Sequence, residues 1–275
     1  MRRIFLFIAF LLFVLPIAAK GKISVRETIA QSYTIQSEDE WYGFHRIKFD
    51  FEGFSAWIVE PNKPGKAMKG TRPWTWTMQW AEAFVNRTGV LDLLNEGYHH
   101  VTVEIFDTRA NEQGIKVLAD FQKFLVEKLG FNKQANLVGM SWGGFFSIRY
   151  ADAYPQNVRR IYLDAPLLNF QDWGADKVDR VGPWASCPPV DGRWENDSRM
   201  PLNMAESIAK AGIPILLLYG GQDQSVNPKL NCEPFIERFK AAGGHAKVEC
   251  RGGFGHHPHG VDLDMTDIIT SFFNE

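Results

Sequence analysis

Between Leu137 and Gly144 a short apolar run stops at the turn Gly139-Met140-Ser141-Trp142-Gly143, and Phe145 to Tyr150 can continue from it as a helix. A serine exposed at a sharp strand-to-helix turn needs neighbours with almost no side chain two residues before and two after it. Gly139 and Gly143 meet that need around Ser141. Asn136, Leu137 and Val138 read as the end of a buried strand, which is the context the motif requires. The stretch therefore predicts an α/β chain with a nucleophilic serine at the C-terminal end of a sheet strand.

The rest of the chain has the size and pattern to supply that sheet. Its 275 residues, 45% hydrophobic, can bury one large core in a single α/β domain. With 30 basic and 32 acidic residues it carries no polybasic footprint for nucleic acid. Met1-Arg2-Arg3, the apolar run Ile4 to Val14 and the small residues ending at Ala19 have the three regions of a secretory signal, residues 1–19, so an exported protein is expected. That apolar run is shorter than the roughly 20 residues that cross a bilayer, so no stable membrane anchor is expected. The oligomeric state is not legible. Export permits disulfides, and Cys187 with Cys232 is the candidate pair; Cys250, in a strand-like run, reads as a buried thiol.

Along the chain, Lys20 to Glu40 reads as a polar surface lead-in, and Tyr42 to Phe51 with Phe54 to Glu60 as a hairpin turning at Glu52-Gly53. Arg72 to Trp80 predicts a strand running into a helix over Ala81 to Asn95. Trp74 and Trp76 within it suit either core or cleft, and Trp80 suits the cleft. His100 to Phe106 and Val158 to Leu163 read as buried strands, and Gly114 to Leu129 as a helix capped by Gly130. From Leu167 to Met200 periodicity is lost; the aromatic content there predicts a cap insertion, about 167–200, folded over the site. Then follow a helix at Pro201 to Ala211, a strand at Ile213 to Tyr219, a helix from Asn227 to Gly243, a strand at His245 to Arg251 and a helix at Asp262 to Phe273. Strands alternating with helices imply a mostly parallel central sheet with helices on both faces.

A serine hydroxyl is protonated at neutral pH and needs a base, and the base needs an orienting acid. Asp223 and His256 follow the last two strands in the order serine, acid, histidine. Asp164 is the alternative acid; His257 and His259 are less well placed than His256. A metal set is not expected from the histidine cluster, which lacks strand-like alternation and acidic company before Asp262. The oxyanion of a tetrahedral intermediate needs two backbone donors: the N–H of Trp142 and one from Thr77, Met78 or Gln79, of which Met78 is chosen. Trp142 and Trp173 are candidate stacking surfaces for a substrate ring, and Asp107, Arg109 and Arg72 are charges placed near the pocket mouth, where an arginine would suit a carboxylate.

These flanks of Ser141, Asp223 and His256 resemble the α/β-hydrolase superfamily over nearly all of the expected mature chain. More narrowly, Arg72-Pro-Trp-Thr-Trp, Tyr162-Leu-Asp-Ala-Pro166 and Gly255-His-His-Pro-His259 look like a bacterial branch of carbohydrate esterases that includes pectin methylesterases. That resemblance implies a serine esterase without a cofactor, removing methyl esters from galacturonic acid units of plant polysaccharide. Acetyl ester hydrolysis on xylan or pectin is the alternative within the class. A non-catalytic sugar-binding module, with Trp80, Trp142, Trp173 and Trp184 as its platform, is the alternative outside it, and a peptidase is a third. The chain departs from the usual pattern in having Thr77-Met78 where His-Gly commonly follows the corresponding strand.

Overall fold

A computed structural model of the chain describes residues 24–63, 71–171, 178–256 and 265–275. Residues 1–19, expected to form a signal, and Trp173, His257 and His259 lie outside the described residues. One nine-stranded sheet runs through the described residues. Its strands are β1 (Ile35–Trp41), β2 (Phe44–Phe51), β3 (Phe54–Val59), β4 (Trp74–Thr77), β5 (His99–Val103), β6 (Ala135–Met140), β7 (Val158–Asp164), β8 (Ile215–Gly220) and β9 (Ala246–Arg251). Across the sheet they lie in the order β1-β2-β3-β5-β4-β6-β7-β8-β9. The first three and the β3–β5 step are antiparallel, and every pairing from β5 through β4 to β9 is parallel.

The central parallel strands must be covered on both faces, because β6 and β8 are buried along their whole length and β7 over its last four residues. In β6 and β7 alternate residues go to opposite cores: Leu137, Ile161 and Leu163 to one, Val138 and Tyr162 to the other. The first core is closed by α1 (Val25–Ser32), α3 (Glu112–Glu127), α4 (Trp142–Ala153), α6 (Ala205–Lys210) and α7 (Cys232–Ala241). The second is closed by α2 (Val90–Asn95) and α8 (Met265–Asn274). A short helix, α5 (Val178–Val181), belongs to the insertion after β7. No helix among the described residues is long and apolar enough to cross a membrane.

Three readings of the sequence are corrected here. The polar lead-in, read without regular elements, holds two: α1 is closed by a capping box between Ser24 and Glu27, and β1 pairs along β2. β1 is an edge strand whose residues between Ile35 and Trp41 are all exposed, so no apolar alternation marks it. The helix expected over Ala81 to Asn95 is broken instead. Phe84 (φ 52°) and Gly89 (φ 72°) are left-handed, leaving a 3₁₀ turn at Val85–Arg87 and only α2 as regular helix. The cysteines are all free: Cys232 is buried at the start of α7, Cys187 is exposed, and Cys250 is exposed on the edge strand β9 rather than buried. Both Trp74 and Trp76 are core residues, packed on each other at 5.6 Å.

Candidate active site

Ser141 sits between β6 and α4 with φ 49° and ψ −118°, a backbone state that ordinary residues avoid. Three hydrogen bonds hold it there. Its N–H donates to the Asp164 carbonyl at 2.9 Å, and its own carbonyl accepts from Gly144 and Leu167, each at 2.9 Å. The glycine requirement falls differently from the sequence reading. A methyl group on Gly139 would meet Ser147 Oγ at 2.6 Å and Gly143 O at 2.9 Å, whereas on Gly143 it would find ordinary contacts from 3.5 Å outward. The crowded position after the serine is Gly144, where a methyl group would overlap Pro166.

The loops after β8 and β9 bring the other two residues. Asp223 Oδ1 accepts backbone N–H groups of Ser225 (2.8 Å) and Val226 (2.9 Å), which turns Oδ2 toward His256. His256 Nδ1 lies 2.7 Å from that Oδ2, and its Nε2 lies 3.0 Å from Ser141 Oγ. Burial raises the Asp223 pKa, but the His256 contact and the two N–H groups outweigh it and hold the carboxyl below its ordinary value. Asp164, the alternative acid, instead accepts the phenol hydroxyl of Tyr162 through Oδ2 at 2.5 Å. Burial and that neighbouring carboxylate push the Tyr162 phenol well above its usual pKa.

Gly220 lets the two loops meet. A methyl group there would overlap the carbonyl oxygens of Phe254 and Gly255, the two residues before His256. Gly220→Ala is therefore expected to move the imidazole off Ser141 and lower turnover at least tenfold, since about 1 Å of misplacement can cost about a hundredfold. Steady-state kinetics, with circular dichroism to confirm the fold, measures this; turnover within twofold of wild type would contradict it.

A cavity of about 280 Å³ opens at Ser141 and His256, and Trp80, Ala83, Phe84, Met140 and Asp164 line the rest of it. Of these, the sequence singled out Trp80 for the cleft and Asp164 only as an acid; Ala83, Phe84 and Met140 were missed, because nothing in their spacing distinguishes them. Trp80 (43% exposed) and Phe84 (39% exposed) both have left-handed backbones, with φ 64° and 52°. Each such residue costs on the order of 1 kcal/mol, so the surrounding contacts must hold them.

Met78, Trp142, Arg109, Asp107 and Arg72 do not take the places expected of them. Met78 cannot serve as an oxyanion donor, because its N–H donates to the Val138 carbonyl at 3.1 Å as a continuation of the sheet. Trp142 is buried by Phe106, Phe145 and Phe170 at 5.3–5.7 Å, so its indole offers no stacking face to a ligand. Arg109 is folded into the scaffold: its guanidinium lies 3.6 Å from the Phe106 ring centroid and donates to the Phe106 carbonyl. Asp107 projects into solvent, 3.7 Å from Arg109, and neither lines the cavity. Arg72 bonds the Leu129 carbonyl at 2.6 Å just before β4, at the opposite end of the sheet from Ser141. The insertion packs on α4 through Trp184, whose indole touches Phe145 and donates to the Arg109 carbonyl at 2.8 Å; none of its described residues lines the cavity.

Strand order, the serine turn and the acid and histidine loops together define the α/β-hydrolase fold. A family model described as alpha/beta hydrolase fold matches residues 70–183. Among solved structures, the chain is similar to an acylaminoacyl peptidase of Pyrococcus horikoshii, with TM-score 0.60 and 11% identity over 88% of this chain and 49% of that one. It is similar also to a candidate dipeptidyl aminopeptidase IV of Bacteroides ovatus, with TM-score 0.63 and 14% identity over 80% of this chain and 33% of that one. The chain thus spans between a third and a half of the length of these peptidases. A thioesterase domain from the curacin biosynthetic pathway matches with TM-score 0.52 and 16% identity over 84% of this chain and 99% of that domain. No curated protein sequence matches the chain.

Proposed function

We propose that the chain is a serine ester hydrolase working through an acyl-enzyme. The observation that carries this reading is the line Asp223 Oδ2, His256 Nδ1, His256 Nε2, Ser141 Oγ, with contacts of 2.7 and 3.0 Å. Such a chain lets imidazole take the serine proton as the hydroxyl attacks and return it to the leaving alcohol; water then repeats the cycle on the acyl-serine. The Trp142 N–H, in the first turn of α4, is one oxyanion donor. With Met78 committed to the sheet, the adjacent Gln79 N–H takes the second role: the Gln79 backbone lies within 3.5 Å of the space beside Gly143, over the start of α4. One such donor is worth about 3 kcal/mol of transition-state stabilisation.

The cavity supports a compact substrate group, since its volume is at the lower end of the roughly 300–1,000 Å³ range of small-molecule sites. Within the class, the methyl ester of a uronic acid is our narrower reading. Trp80 favours it, with its ring partly exposed at the mouth and able to lie against the apolar face of a pyranose. Methanol release from methyl-esterified pectin, with no acetate from acetylated xylan or pectin, is the expected result. Acetate without methanol would reject it in favour of an acetyl esterase. The peptidases of similar fold motivate a parallel assay: an amide cleaved faster than its matching ester would reject the ester reading altogether. A wild-type chain that neither reacts with a serine-directed probe nor turns over any ester would support the sugar-binding module instead.

A further inference from the structure

The wall of the cavity formed by residues 80–84 carries two aromatic residues in left-handed backbone conformations, and between them stands Glu82. Glu82 does not face the cavity. Its Oε2 accepts the indole N–H of Trp41 at 2.8 Å, and its Oε1 is paired with the guanidinium of Arg46. Arg46 is buried and lies 5.3 and 5.9 Å from the ring centroids of Trp57 and Trp41; its remaining donors hold Asp39 at 2.7 and 2.8 Å. The Glu82 carboxylate is partly open to solvent, but both of its partners are fixed in the antiparallel part of the sheet. The same segment is also held by the Ala83 N–H on the Trp80 carbonyl at 2.8 Å and by the Trp80 ring on Phe106, after β5, at 4.7 Å.

We infer that Glu82 is a positioning residue for substrate selection: tied to Trp41 and Arg46, it presents Trp80 and Phe84 as a fixed aromatic wall that selects an acyl group with an apolar face. The wall contributes ring and methyl surface, from Trp80, Ala83 and Phe84, opposite Met140. A saturated six-membered ring or a short branched chain can cover that surface, whereas an acetyl group is too small to. Glu82 ties the strained segment from Trp80 to Phe84 to the antiparallel part of the sheet, so releasing it lets the wall relax away from the geometry that makes contact. The inference rests on the ester-hydrolase reading.

Its test compares p-nitrophenyl cyclohexanecarboxylate with p-nitrophenyl acetate, taking the ratio of their kcat/KM values. Wild-type turnover that disappears in Ser141→Ala establishes the ester-hydrolase reading independently. Trp80→Ala is expected to lower the ratio at least tenfold. Glu82→Ala is expected to lower it at least fivefold, mainly through KM for the ring ester, and Glu82→Gln, which keeps an acceptor for Trp41, to fall between. If Glu82→Ala does not fold, Trp41→Phe removes the indole donor to Glu82 while keeping an aromatic ring there, and is expected to shift the ratio in the same direction. A ratio within twofold of wild type in the folded Glu82 or Trp41 variant, with Trp80→Ala impaired, overturns the latch; an unchanged ratio in Trp80→Ala overturns the wall. Loss of stability with an unchanged ratio likewise overturns it, since a merely structural role predicts that result. No Ser141-dependent turnover of either ester would remove the underlying reading, and the inference with it.

Discussion

Asp223→Asn is expected to lower ester turnover by about 10⁴-fold, although it changes one oxygen to nitrogen. The reason lies in the loop. Two N–H groups already claim Oδ1, at 2.8 and 2.9 Å, so an asparagine would place its carbonyl oxygen there and turn its NH₂ toward His256 Nδ1. The imidazole must then offer a lone pair at Nδ1 and carry its proton on Nε2, where it faces Ser141 Oγ as a donor and cannot accept the serine proton. Single-turnover kinetics with an activated ester, together with labelling by a serine-directed probe, checks the expectation. Asp164→Asn is the informative contrast, because Asp164 accepts the Tyr162 hydroxyl whereas Asp223 holds the imidazole Nδ1. If Asp164→Asn abolished turnover and Asp223→Asn did not, the acid would have to be reassigned.

The second large effect is on stability in acid. His99 and His100 are side by side in β5, and burial lowers both to a pKa of about 3, aided at His99 by the Arg72 charge. His100 Nδ1 is 2.8 Å from Thr75 Oγ1, and its ring stacks on Trp41 at 5.7 Å, while His99 lies on Phe131 at 4.7 Å. Among the described residues His99 Nδ1 and His100 Nε2 are buried without a hydrogen-bond partner, and no carboxylate acts on either ring to balance a proton. The folded pKa lies below the unfolded value of about 6.5, so the unfolded chain binds more protons between the two. The contribution of each neutral ring is complete above pH 6.5 and is lost as pH falls toward 3. At pH 5 each costs about 2 kcal/mol relative to neutral pH, and for a chain of this size the pair lowers Tm by roughly 10 °C. Replacing His100 by Phe should remove about half of the pH dependence, measured as Tm at pH 7.5 and pH 5. An equally steep pH dependence in His100→Phe would locate the acid sensitivity elsewhere.

Much of the site was legible because its signals are local. Ser141 stands in a five-residue pattern, Asp223 follows the apolar strand β8 and His256 the edge strand β9, each within a few residues. The fold class followed from the same alternation of apolar strands and helical periods. What escaped was set by tertiary contacts. β1 shows no apolar face because an edge strand can leave nearly all its side chains in water. The failed helix at 81–95 has acceptable helical residues, but Glu82 is drawn toward Trp41 and Arg46, some 40 residues earlier, and Phe84 and Gly89 turn left-handed. Met78 was misassigned for a related reason: where the sheet bonding of β4 ends, and hence which N–H is left over, depends on the Val138 carbonyl beside it. Arg109 and Trp142 looked accessible from their loop positions, yet stacking with Phe106 draws both inward.

The hydrogen bond between His256 and Ser141 joins residues 115 positions apart, and β8 and β9 stand between the two loops and the rest of the sheet. A growing polypeptide therefore carries its serine long before it has an imidazole to activate it. On the ester-hydrolase reading the serine stays inert until the pairing of β9 with β8 brings His256 beside it, so the last parallel pairing of the sheet would arm the protein.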